Sequence, residues 1–166
     1  MAGEQWRVWA ARIAVVVAAV VVFVALSKLW TFANQDDPAV VEQGSISRLA
    51  TAACARMRES AVASSVATTA PVPRRVGAIN AQNDAVVELV TTMQTLGSAR
   101  LEADQPASQW LEDWQRLVVA RDAYARSLAS GKPKPLQLPT IDGRPLVERL
   151  NNVGLNCRVP LVLLAP

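Results

Sequence analysis

Few side chains in this sequence could carry chemistry. Two are cysteines, Cys54 and Cys157. Outside the cytoplasm an even cysteine count implies a disulfide, and two thiols allow only one intramolecular bridge. That bridge would close a loop of about 100 residues, for which the chain-entropy model gives at most about 4–5 kcal/mol. Two thiolates in a chain without histidine leave a metal ion incompletely coordinated, so neither metal nor cofactor is expected. The same lack of histidine removes the usual general base and every nucleophile triad built on it.

The remaining candidates are weak. Lys28 falls near an apolar segment, and Lys132 and Lys134 flank Pro133 in a loop-like stretch, so a Ser–Lys pair is not expected. Neither G-x-x-x-x-G-K-[ST] nor G-x-G-x-x-G occurs. Glu112 and Asp113 are adjacent, and adjacent positions on a helix point apart, so they form no shared-proton dyad. They read instead as acidic decoration of a helix's first turn. The chain is therefore expected not to be an enzyme.

Two further features stand out on helical stripes. Trp110, Trp114, Leu117, Val118, Tyr124, Ala125 and Leu128 share one stripe, which Gly131 should terminate. An aromatic stripe at this spacing belongs to a core, or else Trp110, Trp114 and Tyr124 form a small-molecule or lipid-binding cluster. Arg121 lies in the middle of the same stripe. A buried guanidinium needs a carboxylate or carbonyl partner. Glu148 or backbone carbonyls of the C-terminal tail could supply one, making Arg121 a structural charge. Alternatively its stem is buried along the bundle edge with its head in water.

The elements that position these residues can be traced along the chain. Asp37-Pro38 suits a helix start, and Ile46, Leu49, Ala50, Ala53, Met57 and Ala61 follow at helical spacing, with Cys54 at the margin of their stripe. Gly44 could mark a hinge before that helix. Residues 60–73 (SAVASSVATTAPVP) read as a loop, although their first turns could extend the preceding helix. A second helix is expected over about 75–100, with Ile79, Val86, Leu89, Val90, Met93 and Leu96 on one face, interrupted by Gln82. Residues 132–142 (KPKPLQLPTID) are too proline-rich for helix or central strand. A short helix over about 145–153 would be capped by Gly154. Cys157 follows, and then an apolar end, 159–166, which must pack on the bundle or dock on a partner.

The N-terminal part sets the location. The apolar run 13–26 (IAVVVAAVVVFVAL) is framed by Trp6 and Trp9 on one side and Trp30 and Phe32 on the other. Trp9 to Trp30 corresponds to about 31 Å of α-helix, close to the roughly 30 Å of a hydrocarbon core with an aromatic at each interface. Lys28 can snorkel to the nearer interface. The alternative is a secretory signal cleaved near Thr31-Phe32-Ala33. Arg7, Arg12 and the amino terminus precede the run, whereas Asp36, Asp37 and Glu42 follow it, which puts the N-terminus in the cytoplasm. Net charge is +3, with basic and acidic residues interspersed, so there is no footprint for nucleic acid.

The segment WLEDWQRLVVARDAYAR (110–126), together with Cys54 and Asn156-Cys157-Arg158, resembles uncharacterised actinobacterial single-pass membrane proteins with an extracytoplasmic helical domain. The matching residues are Asp113-Trp114, Arg121, Tyr124-Ala125, Cys157 and Pro160, within roughly the last 60 residues. The resemblance implies an architecture and no activity.

The expected fold is all-α: residues 1–9 cytoplasmic, a transmembrane helix over 10–33, and an extracytoplasmic domain over 34–166. That domain is a bundle of about three helices with a C-terminal segment tethered by Cys54–Cys157. The expected role is a non-catalytic interaction or accessory protein at the outer face of the cell membrane. Its partners would be the lipid bilayer and a protein of the membrane or envelope.

Overall fold

A computed structural model describes residues 17–18, 20–27 and 40–165. The chain divides into two compact units, Met1–Pro38 and Ala39–Pro166. In the first, residues 20–27 are helical and exposed. Among the described residues no helix is long and apolar enough to cross a membrane. Most of the span expected over 10–33 lies outside the described residues, including Lys28 and Trp30, and so do Trp9, Asp37 and Pro38.

The second unit is built on three long helices, α1 (Gly44–Ala63), α2 (Val72–Gln94) and α4 (Gln105–Ala129), with a short α3 (Ser98–Glu102) before α4. Helix α2 packs against both α1 and α4. A two-residue ribbon, β1 (Thr140–Ile141) with β2 (Arg144–Pro145), and two short helices, α5 (Leu146–Asn151) and α6 (Leu161–Leu164), complete it. The bundle is therefore mostly helical, and Cys54 and Cys157 are bridged, with Cα atoms 5.6 Å apart.

The helix ends follow local chemistry. Helix α1 begins at Gly44, which is its first residue and not a hinge. Gln43 provides no side-chain cap there. The carboxylate of Asp104, on the far side of the bundle in sequence, accepts the Gln43 backbone N–H at 3.2 Å. It thereby places negative charge at the positive end of α1. Helix α2 starts after Pro71, with Pro73 in its first turn, where a missing N–H costs nothing. The helix expected over 75–100 is broken. Gly97 takes a positive φ of 88°, which ends α2 and starts α3 as a separate element. Helix α4 closes where Gly131 predicts. Gly131 N–H donates to Leu128 and Lys132 N–H to Ser127, the paired bonds of a Schellman motif around a left-handed glycine.

The core stripe of α1 is buried as the spacing predicts, Ile46, Ala50, Ala53, Met57 and Ala61 with Cys54 beside them, while Leu49 is only half-buried. It meets Val86, Leu89 and Met93 of α2 and Trp110, Trp114 and Leu117 of α4. Burial of this apolar area is the main favourable term of the fold. The uncharged end of the chain packs on the bundle, with Val159 and Leu163 buried.

Three local expectations are corrected. Glu112 and Asp113 lie well inside α4 and not in its first turn, because the helix already starts at Gln105. The proline-rich tail contains the β1–β2 ribbon, whose turn is Asp142-Gly143, both at positive φ. Gly154 does not cap α5, which ends at Asn151 with Asn152 as its cap residue. It takes a positive φ of 73°, and a Cβ there would lie 2.3 Å from Val40 Cγ1. Beside it, Val41 N–H donates to the Val153 carbonyl at 3.0 Å.

Candidate functional site

The residue that breaks the α4 stripe is the centre of a buried polar network. Arg121 is fully buried. Its Nε donates to Asn83 Oδ1 at 2.7 Å, one terminal nitrogen donates to Gln82 Oε1, and the other donates to the carbonyl of Leu163. The amide of Gln82 in turn donates to the Ala61 carbonyl at 3.4 Å, and that of Asn83 donates to Asp122 Oδ1 at 2.6 Å. One guanidinium thus joins the end of α1, the middle of α2, α4 and the tail. Its planar fork serves three acceptors at fixed angles, which an ammonium could not.

Among the described residues no carboxylate lies within ion-pair distance of Arg121. Burial pushes the guanidinium down to about 10, and the charge of neighbouring Asp122 works in the opposite direction. The group remains cationic at neutral pH. Its charge is balanced at one remove, through Asn83 to Asp122. The expected tie from Arg121 to the C-terminal segment is present, through a carbonyl of α6. Glu148 is exposed and is not its partner.

The residue after Glu148 makes the contact that sequence reasoning missed. Asp113 is buried, and its two oxygens accept from Arg116 Nη1 at 2.6 Å and from Arg149 Nε at 2.8 Å. Arg149 also reaches Asp142 at 3.5 Å, so one arginine fastens α5 to α4 and to the ribbon turn. Glu112 makes only an exposed pair with Arg116, at 3.1 Å. The two neighbouring carboxylates share Arg116 but differ in burial: Asp113 is buried and also holds Arg149, whereas Glu112 is exposed.

The three aromatics do not form one cluster. Trp110 and Trp114 pack edge-to-face, with ring centroids 6.0 Å apart and planes at 84°, inside the main core. Both are buried, and their indole N–H groups meet no acceptor among the described residues. Tyr124 packs instead on a smaller cluster of Ile79, Ala125 and Leu128, where its hydroxyl accepts from Arg75 at 3.2 Å.

Near this smaller cluster lies a cleft of about 110 Å³ between the α1–α2 connection, the first half of α2 and the tail. Ser65, Val66, Arg75, Gln82 and Val162 line it. Among the described residues its one charged wall residue is Arg75. Among the described residues no group of histidine, cysteine, aspartate or glutamate could hold a metal ion. The polar contacts among the described residues hold helices and the tail together. No family model, curated protein or solved structure matches this chain.

Proposed function

We propose that the chain is a non-catalytic interaction or accessory protein, anchored in the cell membrane with its N-terminus in the cytoplasm and its helical domain at the outer face. The observation that carries this reading is the apolar helical stretch at residues 20–27. Val20, Val21, Val22, Phe23, Val24 and Leu26 each expose half or more of their surface. Consecutive apolar residues cover every side of a helix, and such a helix requires hydrocarbon or protein around it. The buried Cys54–Cys157 bridge favours an oxidising compartment for the domain.

The test is extraction and intact mass of the protein from its own membranes. Resistance to alkaline carbonate, with the full mass retained, supports an uncleaved anchor. A mature chain beginning near Asn34, or release into the carbonate wash, overturns it. The accessory role predicts a second polypeptide in stoichiometric amount after purification in mild detergent.

A further inference from the structure

The charges of the helical domain are not evenly spread. Residues 60–83, 123–141 and 158–165 contain no aspartate or glutamate. Parts of these stretches, within 65–79, 124–134 and 162–165, meet at one end of the bundle. Arg75 at the start of α2 bonds Tyr124 near the end of α4, Ile79 packs with Ala125 and Leu128, and the tail shares the cleft with residues 65–68. This end carries Arg74, Arg75, Arg126, Lys132 and Lys134. All are exposed except Arg75, which is half-buried. The other end, at the start of α1 and α4, is of mixed charge, with Glu42, Glu102 and Asp104 beside Arg48 and Arg100.

The basic end is also apolar. Residues 60–73 carry no charge of either sign. Val62, Val66 and Val72 are exposed there, and Leu161 at the start of α6 is 80% exposed. A solvent-facing leucine next to a tail that is otherwise packed down is unfavourable in water. Basic residues around exposed aliphatic side chains match a surface that offers anionic headgroups above hydrocarbon. An acidic protein or polymer would satisfy the cations and leave the valines and Leu161 in water.

We infer that this end of the domain, with the exposed Val62, Val66, Val72 and Leu161 as its apolar part and Arg74, Arg75, Lys132 and Lys134 as its basic part, docks on the surface of an anionic lipid bilayer. The inference does not depend on the anchor, since a domain can dock on a vesicle whether or not the chain is inserted in it.

The experiment uses the full chain with Leu161→Cys carrying an environment-sensitive fluorophore, attached without reducing the native bridge. A second labelled variant, Val119→Cys, reports on an exposed position in the middle of α4. The protein is mixed with, or reconstituted into, vesicles of phosphatidylcholine alone or with phosphatidylglycerol. Flotation reports whether the chain is on the vesicle, and the label reports where Leu161 lies, so a failed anchor and a failed docking face give different results. The expected result is a blue shift at Leu161 that requires phosphatidylglycerol, weakens with salt and is absent at Val119. Arg74→Gln with Lys132→Gln and Lys134→Gln, all exposed positions, should weaken the vesicle-dependent shift by about fivefold per residue neutralised. No shift at Leu161, an equal shift on uncharged vesicles, or an equal shift at Val119 overturns the inference. A shift produced by polyglutamate in place of vesicles would assign this end to an acidic macromolecule and likewise overturn it.

Discussion

Arg121 holds a positive charge deep in the bundle with three acceptors and, among the described residues, no carboxylate in contact, and that arrangement sets what its removal should cost. Arg121→Met keeps most of the stem packing and strands the oxygens of Gln82, Asn83 and Leu163. A buried acceptor left without a donor costs about 1–3 kcal/mol, and breaking a buried charged network from one side about 3–5 kcal/mol. The thermal midpoint should fall by roughly 10 °C or more for a domain of this size. A midpoint within error of the parent would mean that water replaces the guanidinium without cost. Arg121→Lys should also destabilise, because one ammonium cannot reach both acceptors on α2 and the carbonyl of the tail together. At Asp113 the expected signature is coupling. A double-mutant cycle of Asp113→Asn with Arg149→Met should give an interaction of about 1–3 kcal/mol, whereas Glu112 with Arg116, exposed on one helix, should give under about 0.5 kcal/mol.

The elements test glycine in two different settings. Gly131 and Gly154 both have positive φ, but only Gly154 has a neighbour within reach of an added Cβ, Val40. Gly131→Ala should therefore cost about 1 kcal/mol, the conformational term alone. Gly154→Ala should cost clearly more, and Val40→Ala in the same chain should recover part of the difference. Denaturant midpoints of these three variants and of Val40→Ala alone decide it, and equal losses at the two glycines would show that Val40 simply moves aside. These positions also show what was legible. Gly131 stands after a strong apolar stripe, so its role as a helix terminus is plain from spacing. Gly97 is followed by residues that continue a helical pattern, which hides the break between α2 and α3. The ribbon had a signal in Asp142-Gly143, a pair suited to a tight hairpin turn, but the prolines around it mask so short a pairing. Gln82 and Arg121 were visible as conflicts because each interrupts an apolar face. Asn83 and Arg149 were not, because a polar residue beside a stripe looks like any surface position until a distant partner buries it.

At the scale of the whole domain, the bridge between Cys54 and Cys157 joins the first long helix to the tail, and both cysteines are fully buried. Alkylation of the native protein without reductant should label neither. Cys157→Ser should destabilise by about 2–5 kcal/mol, the usual loss for a native bridge, and most of its effect should appear as exposure of the tail to protease. Burial of the sulfurs also predicts that mild reductant leaves the folded domain intact and acts only after partial unfolding. Rapid reduction under native conditions would show that the tail opens often. The pairing itself was readable from an even cysteine count. Where the tail lies was not, because it depends on contacts between residues distant in sequence, such as the Leu163 carbonyl on Arg121 and the Val159 N–H on Asn151.

The contact of Val41 with Val153, close to the bridge, has a mechanical meaning. A pull on the chain from its N-terminal side reaches the domain at Val40 and Val41, and passes first to Val153 and Gly154 and then to the covalent link at Cys157. The polypeptide between the cysteines, 103 positions apart, is shielded from tension while that link is intact. Under force the oxidised domain can lengthen only by the residues outside the bridge. Reduction releases the shielded length, about 350 Å at roughly 3.4 Å per residue. Single-molecule stretching from the two termini should show that difference as a step that appears only with reductant. The same long step in the oxidised protein would mean that the load runs through α1 and α2 and not around them.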